Sequence, residues 1–236
     1  CYSGSLKKFS ECKEVCDPKF QYDSSNCTGD KVLTGNSCGG KYEKCIEPLQ
    51  YLYSDRTLSA EIIPGKSVIG IAVDPENRLA VAIDYIMTTG WGGYGIDIPT
   101  LENTPSSGAG IYVRGERDSY LIRDGKANTA KILAYGRSNG ISYPAAEAAY
   151  NYQPGSCSSS SWCGRGNWYL PSNWQVFPYF DNRATIHLML KAINKMPDDW
   201  WYTRNDFYTV TSNEINAKES GFIYINTGGM AHGGKN

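Results

Sequence analysis

The chain has 236 residues, a formal net charge of −1, 41% hydrophobic and 20% charged residues. That length can bury a real core, either as one larger domain or as an ordinary domain with a small module. There is no basic stripe to meet a phosphate backbone, which argues against nucleic acid as a partner. No apolar run approaches a membrane span, because stretches such as Val68 to Val73 and Leu79 to Ile83 have only the length of buried strands. No secretory leader opens the sequence, which reads as a mature or trimmed product.

Six of the eight cysteines lie at Cys1, Cys12, Cys16, Cys27, Cys38 and Cys45, a density that points to disulfides and an oxidising compartment. Zinc is the weaker reading, since paired Cys-x-x-Cys knuckles are missing and neither His187 nor His232 is near the cluster. From Cys1 to Glu47 branched aliphatic residues are few, so the segment cannot build its own core and is expected to be a module stapled by disulfides, with connectivity left open. Cys1 is read as a disulfide cysteine; the alternative is the acylated cysteine of a lipoprotein, which would be the only attachment to a membrane. Asn26-Cys27-Thr28 has the form of a glycosylation sequon. A second domain is expected from Pro48 to Asn236.

In that domain SVIGIAVD and RLAVAIDYI flank the turn signal Asp74-Pro75-Glu76-Asn77 and predict a β-hairpin. The glycines around Trp91 and Tyr94 predict a long irregular loop, closed by a strand from Ile111 to Val113. After the turn Asp124-Gly125-Lys126, Asn128 or Thr129 is placed to cap a short helix through Leu133. Tyr143-Pro144 followed by AAEAAY predicts a helix with proline in its first turn. Cys157 and Cys163 flank a serine run and are expected to close a local disulfide. Asn167 to Pro171 reads as a short strand, Ser172 as the cap of a helix to Asp181, and Arg183 to Lys195 as a further helix ended by Pro197.

The tail from Asp198 onward is dense in Trp, Tyr and Phe interleaved with Asn, Arg, Lys and Glu, the mixture that protein-binding surfaces use. Within it, Ile223 and Ile225 alternate with Phe222, Tyr224 and Asn226, so one set should face the core and the other outward.

DGKANT, then WYLPS before a helix, then TSNE leading to GFIYINTGG, resemble in type and order the bacterial and phage proteins with a C-type-lectin fold related to formylglycine-generating enzymes. The resemblance spans about Ile62 to Asn236 and is nearest to the variable proteins diversified by retroelements. It implies an α+β fold, a twisted and mostly antiparallel sheet with packed helices. It also implies a constant scaffold that includes Trp168, Leu170, Pro171, Thr211, Ser212 and Glu214. The displayed residues would be Tyr208, Asn213, Ile215, Asn216, Lys218, Glu219, Tyr224, Asn226, Met230 and His232, to which the tail's composition adds Trp201, Tyr202, Arg204 and Asn205. Two departures stand out: Val210 where the family has Trp, and no closing strand ending in Arg-Pro-Val.

The function expected is a surface-displayed, hypervariable ligand-binding protein of adhesin or receptor type, outside the cell. Its partner would be a protein or glycan on another cell or virion. No catalytic residue, metal or cofactor is assigned. An oxygen-activating enzyme of the formylglycine-generating type needs a late cysteine pair, and no cysteine follows Cys163. G-x-S-x-G, P-loop and H-E-x-x-H motifs are absent. Asn205-Asp206 resembles part of a calcium-lectin strand, but its partner loop is missing and calcium needs oxygens from several segments. Asp198-Asp199 reads as a solvated helix exit, and His187 as a core histidine.

Overall fold

The computed structural model describes residues 49–75, 77–86, 90–103, 124–195, 208–224 and 230–236, together with the backbone of two short paired strands, β1 (Val32–Leu33) and β2 (Cys45–Ile46). Apart from those strands, the cysteine-rich module lies outside the described residues. So do the strand expected at Ile111 to Val113, the pair Asp198-Asp199, and Trp201, Tyr202, Arg204, Asn205, Ile225 and Asn226.

The predicted hairpin is present. Strand β5 (Val68–Asp74) turns through Pro75 into β6 (Leu79–Ala82), and β5 also pairs with β3 (Gln50–Tyr53), which carries the short β4 (Leu58–Ser59) on its far side. The order β4-β3-β5-β6 makes β5 central, and its five inner residues are all buried, as a strand covered on both faces requires. A second sheet, β7 (Tyr208–Asn216), β8 (Glu219–Tyr224) and β9 (Met230–Gly234), is also antiparallel throughout. Helices α1 (Gly125–Asn139), α2 (Pro144–Asn151) and α3 (Asn173–Ala192) stand between the two sheets in the chain. Strands and helices are thus segregated, which makes the fold α+β.

Helix α3 joins the sheets. Its Val176, Phe177, Ile186, Met189 and Leu190 pack with Tyr51, Ile71 and Val73 of the first sheet and with Ile223 of the second. Burying side chains of this size stabilises by roughly 1.5–3 kcal/mol each. A second cluster gathers Trp91, Ile98 and Leu101 with Ile132 and Leu133 of α1, Tyr143, and Ala145 and Ala146 of α2.

Four local expectations are corrected. Helix α1 is capped four residues earlier than Asn128 and begins at Gly125, because the Asp124 carboxylate accepts from the Ala127 N–H at 2.9 Å. The two helices expected on either side of Asn182 are one, since nothing between Asp181 and Arg183 breaks the backbone and Pro178 is absorbed in its interior. Residues 167–171 form no strand; the Leu170 N–H meets Thr129 of α1 and the Pro171 carbonyl meets Ser212 of the second sheet instead. His232 lies on β9 and not in a loop, because its glycine neighbours join the ladder with β8.

Candidate binding surface

The three sequence motifs meet in one buried polar knot. Thr129 donates to the Gly125 carbonyl at 2.7 Å and accepts the Leu170 N–H at 3.0 Å. The Pro171 carbonyl accepts the Ser212 N–H at 2.7 Å, and Ser212 Oγ accepts from Asn128 at 3.3 Å. Ser172 caps α3 in a full capping box with Gln175, whose Oε1 also takes the Gly125 N–H. A side chain at position 125 has no room: its Cβ would stand 2.4 Å from Gln175 Oε1. The bonds Thr129–Leu170, Gln175–Gly125, Asn128–Ser212 and Pro171–Ser212 join segments far apart in sequence, so the knot fixes where β7 lies relative to α1 and α3.

A second buried group holds the end of β9. Lys235 and Glu214, both fully buried, form an ion pair. Lys235 also donates to the Ile96 carbonyl at 2.7 Å and lies 4.9 Å over the Trp91 ring, while Glu214 accepts the Ile98 N–H. Burial raises the Glu214 carboxyl above the usual range, and Lys235 pulls it partly back. Trp91 donates to the Thr211 carbonyl at 2.9 Å and meets Tyr143 edge-on. Gly92, with φ of 96°, sits too close to the Ser142 carbonyl to carry a Cβ. Neither Lys235 nor Trp91 was among the residues expected to matter; the loop glycines around Trp91 were the available signal.

The residues expected to be displayed fall into three sets. On one face of the second sheet, Tyr208 and Tyr224 are cross-strand partners. With Phe222 they form an aromatic triad at centroid separations of 4.9, 5.3 and 6.4 Å. Tyr208 is 48% exposed, whereas Ile223, on the opposite face, is fully buried. The second set lies around the β7–β8 turn. Asn216 Oδ1 accepts the N–H groups of Lys218 and Glu219, and its amide donates to Glu219 at 2.7 Å. The other Glu219 oxygen meets His232 Nδ1 at 3.1 Å. The Asn216 hydrogen bond, then His232, holds the Glu219 carboxyl below its ordinary range. Lys218 is exposed, and Ile215 is half-buried.

The third set is a correction. Asn213 is fully buried, its Oδ1 accepting the Asn173 N–H at 2.8 Å, so it belongs to the scaffold. Nor do the two outer sets form one face. Tyr224 lies five residues along β8 from Glu219, about 17 Å at the usual strand rise, and His232, opposite Gly221 in register, shares the side of Ile223. Met230 pairs with Ile223 in the backbone register.

Residues beyond the tail extend the aromatic patch. Tyr85, 54% exposed, is raised in pKa by burial of its phenol and by Tyr208, and Ile86 next to it is exposed too. The sequence signal was weak, since YI after β6 reads as more strand. The expected disulfide between Cys157 and Cys163 is formed and packs beneath Ile69 of β5. No helix among the described residues is long and apolar enough to cross a membrane. No known protein family, curated protein or solved structure matches the chain.

Proposed function

We propose that this is a non-enzymatic ligand-binding protein displayed outside the cell, with a C-type-lectin-like domain that presents a diversified surface on a constant scaffold. The observation that carries the reading is the aromatic triad of exposed Tyr208 with half-buried Phe222 and Tyr224, set on a sheet whose other side is anchored in the core. Apolar area left in water at a rigid position is characteristic of contact surfaces. The motif residues support the scaffold half of the proposal, because Asn128, Thr129, Leu170, Ser172 and Ser212 are all buried and interlocked. The disulfide fits an oxidising compartment. The partner proposed is a protein or glycan on another cell or virion surface.

An array of surface proteins and glycans, run with and without chelator, tests this. A binder whose affinity falls by roughly 1–3 kcal/mol on Tyr224→Ala or Tyr208→Ala, with thermal stability nearly unchanged, supports the triad as the contact surface. Ile223→Ala should instead destabilise the fold by about 2–4 kcal/mol through the cavity it leaves. Stability that follows Tyr224 while binding ignores it would overturn the assignment. Sequence variants from the same source should concentrate their differences between Trp201 and Lys235, outside the buried stretch Thr211 to Glu214, and agree in the polar knot.

A further inference from the structure

Between β6 of the first sheet and β7 of the second lies a cleft of about 540 Å3, floored by apolar side chains that include Val176 and Leu190. That volume is within the usual range for small-molecule sites. The space exists because the walls carry methyl groups where larger residues would fill it: Ala80 and Ala82 on β6, Ala148 and Ala149 on α2. Tyr85, Tyr152 and Tyr208 line it further out, offering ring surface.

Among the described lining residues the charged side chains are Asp84 and Lys195, and they pair with each other. Asp84 Oδ1 is 2.6 Å from Lys195 Nζ, and Asp84 Oδ2 accepts the Tyr152 hydroxyl at 2.8 Å. Burial and the Asp84 carboxylate push the Tyr152 phenol far above its ordinary range, so it stays a neutral donor. A charge carried into the apolar body of the cleft would lose its water, and the two charged side chains among the described lining residues already pair with each other. A carboxylate has about four lone-pair sites and an ammonium three donors, so Asp84 and Lys195 retain acceptor and donor capacity side by side. That arrangement suits one neutral group able to give and take a hydrogen bond.

We propose that this cleft binds an uncharged amphipathic small molecule: a flat apolar body between the alanine walls and a hydroxyl or amide head at Asp84 and Lys195. The site shares Tyr208, Tyr85 and Ile86 with the aromatic patch, whereas Phe222 and Tyr224 do not line it.

Fluorescence titration of the whole chain with phenylnaphthylamine, which is uncharged, and with its anionic counterpart anilinonaphthalene sulfonate tests the proposal. The neutral probe should bind saturably at one per chain, and the sulfonate roughly tenfold more weakly for want of a counter-charge. Ala148→Phe, and separately Ala82→Leu as a smaller filling, should each weaken the neutral probe by about tenfold or more. Tyr224→Ala should leave it unchanged, which separates this site from the triad. Asp84→Asn, by uncovering Lys195, should narrow or reverse the preference against the sulfonate. Non-saturable uptake, retention of affinity in both folded filling variants, or equal binding of the two probes to the unaltered chain would overturn it.

Discussion

Glu214 and Lys235, paired and fully buried, together close the second sheet onto the glycine loop through Ile96 and Ile98. Removing one partner leaves the other charge buried, so Glu214→Gln or Lys235→Met should each cost about 3–5 kcal/mol in urea unfolding. The joint replacement Glu214→Leu with Lys235→Met should recover much of that loss, because the desolvation of both charges goes with it. Tyr143 gives a pH-dependent test nearby. Its hydroxyl is buried without a hydrogen-bond partner, and burial first, then Glu214, pushes the phenol up from 10.0 to about 12. A folded-state pKa above the unfolded one means that this contribution is fully present below about pH 10 and is lost as pH rises through about 12. Tyr143→Phe should therefore be near neutral or stabilising at pH 7, and should flatten the alkaline fall in stability measured by urea midpoints across that window. A variant that tracks the unaltered chain throughout would show that the hydroxyl is solvated. None of this was legible in the sequence, because a lysine or tyrosine looks the same whether its partner is water or a carboxylate folded beside it.

At the scale of elements, legibility followed local signals and failed where long-range contacts took over. Strand β8 was readable because its period-two pattern survives in the fold, with Ile223 inward and Tyr224 outward. The resemblance misplaced Asn213 as a displayed residue, since β7 is irregular between Val210 and Glu214 and all four residues from Thr211 to Glu214 are buried in succession. A bulge inserts residues without changing composition, and no residue type announces it. Helix α2 was readable from proline at its first position. Helix α3 was not, as one helix, because its continuity depends on packing both halves against two sheets. Pro178 within it has no N–H to donate, and its ring crowds the carbonyl one turn earlier. Pro178→Ala should raise stability by about 1–2 kcal/mol after the added flexibility of the unfolded chain is counted. A loss of stability would mean that Pro178 contributes packing or backbone geometry that α3 needs to reach β5 and β8 together.

For the molecule as a whole, the displayed residues divide because the sheet has two ends and two sides, which linear spacing does not convey. The aromatic triad borders the cleft through Tyr208, whereas Asn216, Lys218, Glu219 and His232 form a polar corner near the clasped end of β9. The disulfide stands apart from both and bears on the first sheet. Cys157 and Cys163 are buried under Ile69 of β5, and Trp162 in the loop they close donates to the Ser54 carbonyl at 2.9 Å while Arg56 lies 5.2 Å over its ring. Trp168, which packs on the same cluster, donates to the Cys163 carbonyl and meets Tyr152 edge-on at 5.2 Å. Closing so short a loop restricts the unfolded chain by an amount worth about 2 kcal/mol. Replacing both cysteines by Ala should lower the unfolding free energy by that much, and reduction of the unaltered chain should do the same once the bond is reached. The loss should appear as a shifted urea midpoint with an unchanged slope, because α3 still joins the two sheets and the folded surface stays the same. A shallower slope would instead place the bridge among the contacts that keep the two sheets folding as one cooperative unit.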